Sequence, residues 1–223
     1  MTTLPEDILY EEYLGDTRDD ERIINFVRSS DCTKEMVNYS NGDGWCALNL
    51  TAKLNRWEVI EELLKKEADP NYVSWDTSYN SLMYCIAEGD SYDPKTKENR
   101  LKTIKLLIDA GTNLNYEDRF SAFTIAASID DTEVIKLLLE QPINIAFKDE
   151  DDKTGIDYLL EYNNDECLSL IKEKILSCDT WKDYVLKNKN TDAIKLINKY
   201  ILKETLEETL VEQKDNQNKM NKI

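Results

Sequence analysis

Histidine is absent from all 223 residues. That excludes a histidine general base, a Ser-His-Asp triad and a His-Cys zinc site. The six glycines are never gathered into a phosphate-cradling loop or a dinucleotide fingerprint. The cysteines, Cys32, Cys46, Cys85, Cys167 and Cys178, are odd in number and show no CxxC spacing. Buried free thiols in a reducing compartment are therefore expected, not a disulfide framework. Any cysteine nucleophile would need a base other than histidine. No apolar run is long enough to span a membrane, and residues 1–14 are acidic without the apolar segment of a leader. A cytoplasmic setting is the expectation. Basic residues are also in deficit: 28 Lys and Arg stand against 45 Asp and Glu, for a net charge of −17. Such a field repels a phosphate backbone, so nucleic acid is not an expected partner. It draws in a basic protein, and it also serves plain solubility.

What is present is a recurring unit. Residues 41–71 read as a turn, a short helix, a tight break, a longer helix and a closing turn. Gly42 and Gly44 suit a hairpin tip. Ala47, Leu48 and Ala52 give a short helix with a small packable face, and Asn55 breaks it. Val59, Ile60, Leu63 and Leu64 form the apolar stripe of a second helix. Ala68, Asp69, Pro70 and Asn71 stop that helix. One such unit cannot bury both helices alone, so it needs neighbours.

The neighbours are there. Leu82, in Asn80-Ser-Leu-Met-Tyr-Cys-Ile86, follows Leu48 by 34 residues. Ala110-Gly-Thr-Asn-Leu-Asn115 echoes the closing turn at residues 67–71. Ser121-Ala-Phe-Thr-Ile-Ala-Ala127 opens a third copy, closed by Glu133-Val-Ile-Lys-Leu-Leu-Leu139. Thr154-Gly-Ile-Asp-Tyr-Leu-Leu160 opens a fourth, and Ile156 follows Phe123 by 33 residues. A period near 33 with helix–turn–helix content resembles the ankyrin repeat. The family's Thr-Pro-Leu-His opening survives in worn form as Cys46-Ala-Leu-Asn49, Asn80-Ser-Leu-Met83, Ser121-Ala-Phe-Thr124 and Thr154-Gly-Ile-Asp157, without its proline or its histidine.

The resemblance implies an all-α, ankyrin-like solenoid of about five helix-turn-helix repeats with short hairpin loops and divergent terminal caps. Residues 1–40 form an N-terminal cap or divergent repeat, with helices expected at residues 5–13 and 19–28. Residues 41–178 carry the repeats. Residues 179–211 form a C-terminal repeat or cap, and residues 212–223 are a polar tail, expected to be disordered. Asn80, Ser121 and Thr154 are good N-caps; Cys46 is not, so packing must hold its helix. The missing histidines and prolines predict an array less stable than a consensus one. An insertion between Glu88 and Leu101 reads as a surface loop or a slight helix extension, and alternatively as an arm around a partner.

In the ankyrin family, hairpin tips and first-helix surfaces line a concave binding face. The resemblance places Trp45, Tyr72, Trp75, Tyr79, Tyr84, Arg119 and Phe120 on that face. The competing reading is that Tyr72, Tyr116 and Phe147, and also Trp45 and Trp75, pack between repeats. Asp149, Glu150, Asp151 and Asp152 crowd one hairpin at a spacing unlike a calcium loop. They read as a solvated turn or as an acidic finger for a basic pocket, with no metal expected. The carboxylates are nowhere paired across an apolar cleft, so a glycosidase-type site is unsupported. With no cofactor expected either, the function reads as non-catalytic binding of a basic protein. One form is an acidic inhibitor or immunity-type partner of a nuclease toxin; the other is an adaptor or assembly chaperone for a basic subunit. An enzyme dependent on a cysteine or a metal is a distant third.

Overall fold

A computed structural model describes residues 20–41, 44–88 and 94–177. The helix expected at residues 5–13, the C-terminal repeat and the polar tail lie outside the described residues. Among the described residues there are ten helices: α1 (Asp20–Arg28), α2 (Lys34–Val37), α3 (Ala47–Lys53), α4 (Trp57–Lys65), α5 (Ser81–Ala87), α6 (Pro94–Asp109), α7 (Ala122–Ser128), α8 (Thr132–Leu138), α9 (Gly155–Tyr162) and α10 (Asp165–Ser177). They form two rows. The short helices α3, α5, α7 and α9 stack in one row, and α1, α4, α6, α8 and α10 in the other.

Local chemistry sets the helix boundaries. The side chains of Asn80, Ser121 and Thr154 accept the N–H of Met83, Thr124 and Asp157 at 3.0, 3.1 and 3.2 Å. Each occupies one of the four donors left over at a helix start. At Ser121 and Thr154 the third residue reaches back to complete a capping box. Cys46 gives no such bond, and the first helix of that repeat is held by the buried Ala47, Leu48 and Ala52.

The break between the two helices also repeats. Asn55, Asp130 and Asn163 all take left-handed backbone angles, φ 55°, 53° and 56°. The following N–H then turns back to the helix just ended: Arg56 to Thr51 at 3.0 Å, Asp131 to Ala126 at 3.0 Å and Asn164 to Leu159 at 2.9 Å. Asn and Asp tolerate this region better than other side chains.

The core runs the length of the array between the rows. Leu48, Leu82, Phe123 and Ile156 line one side of it, and Ile60, Leu63, Ile104, Leu107, Ile135 and Leu138 the other, none more than 2% exposed. Ile23 and Val27 of α1 join it, so residues 20–28 pack as the second helix of a divergent unit. Gly155 shows how close the short helices come: a Cβ there would stand 2.3 Å from the Phe123 ring.

Three asparagines stitch the closing turns together. Asn38 accepts the N–H of Asp69 at 2.7 Å, Asn71 that of Asn113 at 2.6 Å and Asn115 that of Asn144 at 2.6 Å. Asn38 also donates to the carbonyl of Glu67 at 2.9 Å. In a chain without histidine, these amides supply hydrogen bonds from one repeat to the next.

The insertion differs from a plain surface loop. From Pro94 onward it is helix, lengthening α6 to 16 residues. Its last residue, Arg100, is only 1% exposed, and its guanidinium ion-pairs with Asp131 at the head of α8. The facing carboxylate offsets the cost of burying this cation.

Candidate protein-binding surface

The hairpin tips include residues 39–41 and 44–45, then 72–80, 116–121 and 147–154. Antiparallel bridges Ser40–Cys46 and Lys148–Thr154 close the first and fourth. The second is closed by Ser74 N–H donating to the Tyr79 carbonyl at 3.0 Å.

Two tips are tied down by a tyrosine one turn into the following helix. The Tyr84 hydroxyl lies 2.7 Å from both Ser74 Oγ and Thr77 Oγ1 and donates to Asp76 at 3.1 Å. Four residues past its own cap in the same way, Tyr158 donates to Asp149 at 2.9 Å. Burial, followed by the hydrogen bond to Asp149, pushes the Tyr158 phenol well above its usual range, so it remains a donor.

The sequence-assigned residues therefore divide. Trp45, Tyr84, Tyr79 and Phe120 form a continuous aromatic strip across the first three tips. The Trp45 and Tyr84 rings are 4.6 Å apart, Tyr79 meets Tyr84 edge-on at 5.4 Å, and Tyr79 meets Phe120 edge-on at 5.9 Å. Within the strip Tyr84 is buried, 4% exposed, so it supports its neighbours from beneath. Tyr72 donates to the Gly44 carbonyl at 3.2 Å and packs against the core. Trp75 stands out at 71% exposure.

The fourth tip divides too. Asp149 is buried; besides Tyr158 it accepts the N–H of Asp151 at 3.0 Å and of Lys153 at 3.2 Å, and so builds the turn. Glu150, Asp151 and Asp152 face solvent. Glu150 ion-pairs with Arg119 of the third tip, and Asp152 with Lys148 at 2.8 Å. Lys153 pairs with Glu161 at 2.8 Å. Thus Arg119, Lys148 and Lys153, the basic side chains of these tips, are each met by a carboxylate, while Asp76, Glu117, Asp118 and Asp151 are exposed.

Sequence reasoning missed Ile129 and Tyr162, 42% and 50% exposed at the ends of α7 and α9. Both sit eight residues past their helix cap, and that shared offset was the signal. A second concavity, of about 910 Å³, lies between the closing turns and α4 and α6, and includes Leu64, Pro70, Tyr72 and Leu106 in its wall. Of the charged side chains that line it, Lys34 pairs with Glu67 at 2.6 Å and Lys65 with Glu61 at 3.5 Å.

Cys32, Cys46, Cys85 and Cys167 are free thiols and buried. Desolvation raises Cys46 to about 11, which keeps it protonated and unreactive. Among the described residues, no group of three or more Cys, Asp or Glu is arranged to hold a metal ion, and no helix is long and apolar enough to cross a membrane.

No family model matches the chain. Two curated proteins of Acanthamoeba polyphaga mimivirus are similar to it. "Putative ankyrin repeat protein R664" is 29% identical over 167 residues, which cover 73% of this chain and 85% of that protein. "Putative ankyrin repeat protein L86" is 24% identical over 146 residues, 58% of this chain and 25% of that one, so the chain spans a quarter of its length. With the stacked helix pairs and their recurring caps and breaks, these relatives support an ankyrin-repeat protein. Its class is that of an elongated helical array whose surface serves protein–protein interaction.

Proposed function

We propose that the chain is a non-catalytic module that captures a basic protein on its hairpin tips and blocks that protein's activity, as an inhibitor or immunity-type partner does. A cytoplasmic setting fits its buried free thiols. One observation carries the reading. The tips combine an exposed indole, Trp75, and an aromatic strip with carboxylates that outnumber their cations, each of those cations being already paired. Aromatic anchors give affinity at an interface, and an uncompensated charge of one sign selects and steers the partner. A basic nuclease toxin, whose phosphate-binding surface faces an acidic mimic, is the concrete form.

The test is affinity capture from the native source at low salt, followed by titration of the captured protein's activity. The reading expects one dominant basic protein, released by high salt and silenced at equimolar ratio. Binding without loss of activity would make the chain an adaptor or assembly chaperone. An acidic partner would contradict the reading.

A further inference from the structure

We infer that Trp75 and Asp76 form a receptor for an arginine side chain of the protein partner. The indole takes the flat of the guanidinium, and the carboxylate takes its fork of N–H donors. The inference rests on the basic-partner reading above.

Trp75 is exposed, but it is not loose. Its ring lies against Gly44, whose φ is +79°, and a Cβ there would stand 2.7 Å from two of the ring carbons. The backbone of the first tip is therefore shaped to receive the indole of the second. The fixed ring still leaves 71% of the residue to solvent.

The other described tryptophans show what this chain places on an indole. Lys53 Nζ lies 5.3 Å from the centre of the Trp45 ring, and Lys102 Nζ 2.9 Å from that of Trp57. Among the described residues, no cation of the chain itself covers Trp75. A cation within about 6 Å of an indole is attracted by the negative face of the ring, so the site is one that a partner's cation would complete.

Asp76 supplies the second half. It is exposed, and its Oδ1 is held by the Thr77 N–H at 2.8 Å and the Tyr84 hydroxyl at 3.1 Å. Partial burial pushes its carboxyl up, but hydrogen bonds from Ser74, Thr77 and Tyr84 outweigh this and keep it below its usual value. The group is an ionised carboxylate held in place one residue along the tip from the indole. Arginine suits this pair better than lysine, because a planar guanidinium can stack and make paired N–H bonds at once.

The test uses the full chain and two fluorescent peptides of equal length, oligo-arginine and oligo-lysine, read by anisotropy at about 0.15 M salt. Oligo-arginine should bind about tenfold tighter, and Trp75→Ala should weaken it about tenfold while changing oligo-lysine little. Asp76→Asn should likewise cut the preference for arginine. Trp75→Phe keeps a ring and guards against a folding defect, which far-UV circular dichroism monitors. Equal binding of the two peptides, or wild-type binding by Trp75→Ala, overturns the arginine receptor but leaves the basic-partner reading standing. If neither peptide binds, both readings are overturned.

Discussion

The Asp131 carboxylate serves two repeats at once. One oxygen accepts the Val134 N–H at 3.1 Å and caps α8; the other holds the guanidinium of Arg100, which arrives from α6 of the preceding repeat. Arg100 also donates to the Ile86 carbonyl at 3.4 Å, and Cys85 donates to the Arg100 carbonyl at 3.7 Å. The pair is therefore the centre of a buried polar knot joining α5, α6 and α8.

Removing either partner strands the other charge. Arg100→Met or Asp131→Ser should each lower stability by about 3–5 kcal/mol, the cost of an uncompensated buried charge. A paired Arg100→Met, Asp131→Ser change should cost less than the sum of the singles, because serine keeps the cap and methionine fills the space. Urea unfolding of the four proteins measures this coupling.

The close approach at Gly155 gives a second expectation. Gly155→Ala should destabilise the array by about 1–3 kcal/mol through overpacking, since its Cβ would meet Phe123 at 2.3 Å. Trimming the ring with Phe123→Leu should make the same glycine substitution less costly. Thermal unfolding of the double cycle checks whether the two changes are coupled.

Helix caps give a third pair of variants. Thr154→Ala should cost about 1 kcal/mol by removing the oxygen that accepts the Asp157 N–H. Cys46→Ser should move stability the other way by roughly 0.5–1 kcal/mol, because it provides the cap oxygen that α3 lacks. Chemical denaturation midpoints of the two variants should fall on opposite sides of the parent.

The pH dependence follows from Glu62. Hydrogen bonds from Arg28 at 3.0 Å and Lys65 at 2.9 Å hold its carboxyl at about 2, against an ordinary 4.5. The folded form thus releases its proton more readily than the unfolded chain. The resulting stability is complete above about pH 4.5 and disappears as the pH falls toward 2. Glu62→Gln should flatten this acid limb, as read from urea midpoints across that range.

Much of the architecture was legible because it is written locally. The caps at Asn80, Ser121 and Thr154, the break at Asn55 and the apolar stripe of α4 depend on side chains a few positions apart. The repeat period then dictated the stacking. Arg100 was not legible in this way. It lies in a polar stretch with Lys97, Lys102 and Lys105, and only the three-dimensional meeting with Asp131, from the following repeat, distinguishes it. Asp149 was hidden for the same reason: four acidic side chains share one tip, and the inward one is chosen by the position of Tyr158. The aromatic strip was visible as a concentration of Trp and Tyr at equivalent tips. Sequence could not show that Tyr84 lies beneath it while Trp75 stands clear.

Hydrogen exchange of the full chain, free and bound to its captured basic partner, tests the central claim most directly. The account predicts slowed exchange at the tips, residues 72–80, 116–121 and 147–154, with the backs of α4 and α6 unchanged. Protection confined to the concavity beside Leu64, Pro70 and Leu106, with the tips exchanging as in the free chain, would contradict it.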